Sequence, residues 1–127
     1  MKCLLNVIIN FGIIFLISSS CQKSEVPDCI RGKVIGYQSC ININIIQVES
    51  GSLNGTTTLW NGKNYEDVVQ SPGGKILDSL IYFNYRSFDS SKDTLINNAV
   101  CPANISPLTV PIIIITRYSS INCPNSD

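Results

Sequence analysis

The chain has 127 residues, nine Lys or Arg against nine Asp or Glu, and a formal net charge of zero. That length suits one domain with a modest core, and without a basic cluster nucleic acid is not an expected partner. Six cysteines and no histidine exclude Ser-His-Asp and Cys-His nucleophilic sites and favour disulfides over zinc.

Lys2 gives a short positive start, and the largely apolar stretch LLNVIINFGIIFLI follows, interrupted by Asn6 and Asn10. Ser18, Ser19 and Ser20 are small residues in front of Cys21. Charge, apolar run, then small residues is the order of a secretory signal, and this run is too short to cross about 30 Å of hydrocarbon. Residues 1–20 are therefore read as a removable signal. With its cysteine, the segment resembles the lipobox of bacterial lipoproteins, although Ser18 stands where Leu is more typical. Ser18 and Ser20 also fit the small-x-small rule of ordinary signal cleavage.

Cysteine arithmetic separates the two readings. Removal of residues 1–20 leaves Cys21, Cys29, Cys40, Cys101 and Cys123, an odd set, and a secreted chain tends to avoid a leftover thiol. The lipoprotein resemblance implies a diacylglycerol thioether on Cys21, which leaves an even set. It also implies several acyl chains and a stable membrane tether. Gln22 follows the cysteine, with no Asp to mark inner-membrane retention, so an outer-membrane address is expected. Lys23-Ser24-Glu25 resembles the charged tags of surface-exposed lipoproteins, and a plain solvated linker explains the same residues. Residues 21–28 are read as a polar tether and 29–127 as one β domain.

From Cys29 the signals are those of strands. CIRGKVIGY is rich in branched residues, and Gln38-Ser39-Cys40 make a turn. In ININIIQVE, Ile41, Ile43 and Ile45 are expected on one face with Asn42 and Asn44 opposite. The alternation slips at Ile45-Ile46, which means either two covered faces or a β-bulge; a bulge is preferred because it bends the strand as a small barrel needs. TTTLW and KNYEDVV flank Asn61-Gly62, a two-residue hairpin signal. Ser71-Pro72-Gly73-Gly74 breaks the chain. KILDSLIYFNYR, TLINNAVC and VPIIIITRY supply the remaining strands, with Pro111 confined to a strand start or an edge. The fold class is all-β: a small antiparallel barrel or sandwich of about six or seven short strands, stapled by disulfides.

Cys29, Cys40, Cys101 and Cys123 admit three pairings. Cys29–Cys123 with Cys40–Cys101 is preferred, each bond contributing about 2–4 kcal/mol by restricting the unfolded chain. Together CIRGKVIGYQSC, NYEDVV and VPIIIITRYSSINC resemble a group of short bacterial lipoproteins with an all-β mature domain. That resemblance implies the same address and fold, and it brings no activity.

Chemistry is sparse. Glu66 and Asp67 are adjacent, so on a strand they point to opposite faces; Glu49, Asp78 and Asp89 read as solubilising charge. SPGGK lacks the P-loop pattern, because Val69 and Ile76 stand where Gly and Ser or Thr are needed. Asp78-Ser79-Leu80 and Asp93-Thr94-Leu95 resemble an O-glycosylation acceptor of exported Gram-negative proteins, which marks Ser79 and Thr94. Asn54-Gly55-Thr56 and Asn104-Ile105-Ser106 match the N-glycosylation sequon, which carries no meaning in a bacterial lipoprotein. Trp60, Tyr65 and Tyr85, with Tyr82 nearby, are candidates for a sugar-stacking face; the plainer reading makes them core and ordinary strand residues. The chain is read as a non-catalytic interaction or structural module without cofactor or metal. It is held at the membrane by its lipid and binds an unidentified protein or glycan. The alternatives are a carbohydrate-binding module and an inhibitor of a foreign hydrolase.

Overall fold

The computed structural model describes residues 29–95, 101–102 and 107–124. The signal segment, Cys21, the tether, Asn104 and most of TLINNAVC lie outside the described residues. Among the described residues there are six strands: β1 (Ile30–Gln38), β2 (Ile43–Ser50), β3 (Thr56–Trp60), β4 (Lys63–Pro72), β5 (Leu80–Ser87) and β6 (Ile113–Ser119). They form one antiparallel sheet in the order β3-β4-β2-β1-β5-β6. Branched and aromatic residues dominate each strand, and turn residues separate them. Asn61 and Gly62 sit at φ 49° and 77°, so the predicted β3–β4 hairpin turns on the two positive-φ positions that such a loop requires.

The sheet curls until β4 approaches the lead-in to β6. The Gln70 amide donates to the Pro111 carbonyl at 2.9 Å, a parallel bridge links Gln70 to Ile112, and the Ile115 amide donates to Ser71 Oγ at 3.3 Å. No ladder continues past this point, so the expected barrel or sandwich is realised as a rolled sheet that stops short of closure. Pro111 comes just before β6, where a missing N–H costs no ladder bond.

The concave face encloses the main core, built from Ile30, Ile46, Val69, Ile76, Ile81, Phe83 and Ile113, with Leu53 from the β2–β3 loop. A second, smaller cluster covers the outer face: Ile45, Val68 and Val110, flanked by Ile35, Trp60, Tyr65 and Leu108. Gln70, fully buried there, donates from Nε2 to the carbonyls of Leu108 (2.7 Å) and Val110 (3.0 Å). The segment leading into β6 is thereby tied onto the outside of the sheet.

This second layer corrects the expectation for β2. Its pairing with β4 runs unbroken from Ile43 to Gln47, so no bulge interrupts Ile45-Ile46. Both faces are covered instead: Ile45 packs outward and Ile46 inward. The extra residue opposite them is Ile35 of β1, and a further irregularity falls at Glu49. Asn44 lies opposite Ile45, as the alternation requires, on the inner face, and is only 2% exposed. Its Nδ2 donates to the Gly74 carbonyl and its Oδ1 accepts from the Ile76 amide, both at 2.9 Å. The chain between β4 and β5 is held across the mouth of the roll by that one side chain, and it seats Ile76 in the core. That is why β5 begins at Leu80 rather than within KILDS.

Cys29–Cys123 and Cys40–Cys101 are bonded, with Cα separations of 5.8 and 5.5 Å, in the preferred pairing. The first ties the start of β1 to the segment after β6. The second ties the β1–β2 turn to the long β5–β6 connection.

Candidate functional site

Past the end of its ladder with β3, β4 meets the lead-in to the edge strand β6 at Gln70 and Ile112, and the two then diverge. The diverging segments leave an open cleft of about 210 Å³, lined by Asn44, Ser71–Gly74, Ile76 and Ile115–Tyr118. Local chemistry explains why the seam does not zip up. Pro72 has no N–H to give to a neighbouring strand, and the Gly73 amide is turned away to the Asn42 carbonyl at 2.9 Å. β4 therefore offers little to β6 beyond residue 71. On the other side the β5–β6 register slips between Asn84 and Tyr85, leaving Thr116 as an extra residue in β6. The slip changes the phase of the strand, so that Tyr118 pairs with Phe83 and shares its inward face.

Tyr118 consequently projects toward the mouth of the core, yet it remains 49% exposed. Ile76 and Ile115 give the cleft an apolar part of its lining, while Ser71, Thr116 and Arg117 bring polar groups. The lining contains no carboxylate, so the cleft suits a neutral or anionic ligand over a cation.

The aromatic candidates are not assembled on one face. Trp60 and Tyr65 pack together into the outer cluster, whereas Tyr85 packs against the main core. The hairpin tip folds over β1 so closely that a Cβ at Gly36 would overlap the Trp60 indole. The Lys63 ammonium lies over the Tyr65 ring at 5.0 Å from its centroid, an exposed cation–π contact that covers one ring face. Ser79 and Thr94 are both exposed. The Ser79 carbonyl accepts from the Val34 amide at 3.0 Å, and Asp93, beside Thr94, is engaged by Arg86.

The acids are dispersed. Glu49 pairs with Arg31 at 3.3 Å. Glu66 and Asp67 are both exposed at an irregularity of the β3–β4 ladder, with Asp67 at φ 50°. Asp78 is exposed in the β4–β5 connection. Among the described residues no three His, Cys, Asp or Glu side chains gather as a metal site would need. The tightest charge cluster is structural. Arg86 Nη1 and Nη2 donate to Asp93 at 2.7 and 2.6 Å, and the Asp89 amide adds 2.8 Å. These bonds, led by Arg86, hold the Asp93 carboxyl down at about 2. Hydrogen bonds from Ser91 lower Asp89 as well.

Sequence reasoning missed Tyr118 and Arg117. A strand ending in TRYS reads as ordinary, and only the slip at Thr116 turns Tyr118 into the cleft; the available signal was an aromatic residue just after an unbroken run of isoleucines. No protein-family model matches the chain, and no curated protein matches it.

Proposed function

We propose that the chain is an exported, lipid-anchored interaction module of the cell envelope, most fittingly of the outer membrane. One observation carries this reading: the described cysteines are all consumed, in Cys29–Cys123 and Cys40–Cys101. Such bonds persist in oxidising compartments. They leave Cys21 as the single thiol of a chain cleaved after Ser20, at the position where an acyl anchor attaches in bacterial lipoproteins. The domain then presents a rigid rolled sheet on a short polar tether, with its seam cleft as the surface available to a partner. The reading is of binding, and a cleft lined by Ser71, Thr116, Arg117 and Tyr118 without a carboxylate is in keeping with it.

Intact mass of the protein extracted from the membranes of its native host, with thiols alkylated before and after reduction, tests the anchor. A chain starting at Cys21, bearing acyl mass and exposing four thiols only on reduction, is expected. A chain without acyl mass and with a free Cys21 thiol refutes the reading. Hexose-sized additions on the peptides carrying Ser79 or Thr94 are the expected sign of O-glycosylation there.

A further inference from the structure

We infer that the seam cleft between β4 and β6 binds a single saccharide unit, stacked on Tyr118. The inference rests on the interaction-module reading and gives its ligand a chemical class. Size comes first. About 210 Å³ falls below the roughly 300–1,000 Å³ of sites that enclose drug-sized ligands. One sugar ring, or the end of a glycan chain, fits that space; a long side-chain-bearing peptide does not.

The lining has the mixed character a sugar needs. Tyr118 shares the lining with the apolar side chains of Ile76 and Ile115, and an aromatic ring beside apolar surface suits the C–H face of a pyranose. Ser71, Thr116 and the Gly73-Gly74 segment also line the cleft and bring polar groups beside that apolar surface. Ser71 Oγ already accepts from the Ile115 amide, which fixes the oxygen and leaves its proton to donate. Tyr118 itself is the anomaly to be explained. It lies on the core-facing side of β6, paired with the fully buried Phe83, and is nevertheless 49% exposed. A half-exposed ring on the core-facing side of its strand is suited to be covered by a flat apolar face from outside.

The glycines allow a direct test. A Cβ on Gly74 meets nothing within 4 Å, and its φ is not in the left-handed region. Gly74→Leu therefore adds a bulky side chain at a lining position of the cleft without straining the fold, and Tyr118→Ala removes the platform from a half-exposed position. The full chain, isolated from membranes in detergent, is applied to an array of mono- and oligosaccharides, and the strongest ligand is titrated calorimetrically against both variants and Leu59→Ser. Leu59 is an exposed residue of β3 outside the cleft. A saccharide whose Kd rises at least about tenfold in each cleft variant, with Leu59→Ser unchanged and all three melting as the parent does, is the expected result. A blank array, or a ligand whose affinity either cleft variant leaves unaltered, overturns the inference. The acylated mass decides the anchor separately, so a blank array beside a lipidated Cys21 removes the sugar and leaves the module.

Discussion

Gly36 lies under the Trp60 indole, and a Cβ built on it would overlap the ring. Gly36→Ala must lift the β3–β4 tip or shift β1, and overpacking of this kind costs about 1–3 kcal/mol. Trp60 is the only tryptophan in the chain, so it reports its own displacement: denaturation shows the lost stability, and native-state emission moves to the red. A pH effect is tied to Asp93. Its folded carboxyl is depressed from 3.8 to about 2, chiefly by the hydrogen bonds from Arg86. A depressed carboxylate contributes stability that is fully present above its unfolded value and is lost as pH falls through the folded one. The Arg86–Asp93 contribution is thus intact at pH 5 and disappears between about 3.8 and 2. Melting temperatures of wild type and Asp93→Asn should converge as the pH is lowered through that window. A difference that stays constant from pH 5 to 2 contradicts the assignment.

At the scale of the strand, β2 has its two sides occupied by separate clusters. Ile45 and Ile46 point opposite ways, yet each is fully buried. Ile45→Ala and Ile46→Ala are therefore both expected to cost about 2–5 kcal/mol in urea denaturation. A sheet with one wet face predicts a large loss for only one of them. The same pair shows where the sequence was legible. Asn61-Gly62 announced its hairpin because the turn itself demands those residue types. The break at Ile45-Ile46 was visible too, but alternation within one strand cannot tell a bulge from a face covered by distant chain. The covering residues, Val110, Leu108 and Trp60, are far away in sequence, and the extra residue sits in the partner strand at Ile35. Asn44 lies opposite Ile45 as the alternation requires, but its burial was not legible: its amide bonds the backbone at Gly74 and Ile76, a debt no local pattern reveals. The cleft was hidden by the same kind of non-local fact, since the phase of Tyr118 depends on how β6 registers with β5.

The whole molecule is governed by two nested covalent loops. Cys40–Cys101 closes a span of 61 residues inside the 94-residue span of Cys29–Cys123. Each bond restricts the unfolded chain, and removing a native disulfide from a small exported domain typically costs about 2–5 kcal/mol. With the inner bond formed, the path around the outer one shortens to 33 residues, the difference of the two spans. Loop-closure entropy grows only logarithmically with length. The double replacement Cys29→Ser with Cys123→Ser should therefore destabilise by an amount comparable to Cys40→Ala with Cys101→Ala, despite the longer span. Calorimetric melting of the two variants checks this; a loss confined to one bond would mean that native packing, and not chain entropy, sets its contribution.

Because the outer bond joins positions 29 and 123, everything from β1 to β6 lies on a closed ring of covalent bonds. A protease that cuts once within that ring opens it without detaching a piece, and the domain stays whole on a non-reducing gel until a second cut or a reductant intervenes. The same ring carries mechanical load. Tension applied at Cys29 passes into Cys123 as well as into Ile30, so the first strand is not peeled from the sheet end-on. A module fixed to a membrane and pulled by a bound partner would yield by shearing the roll rather than by unravelling from its anchored end.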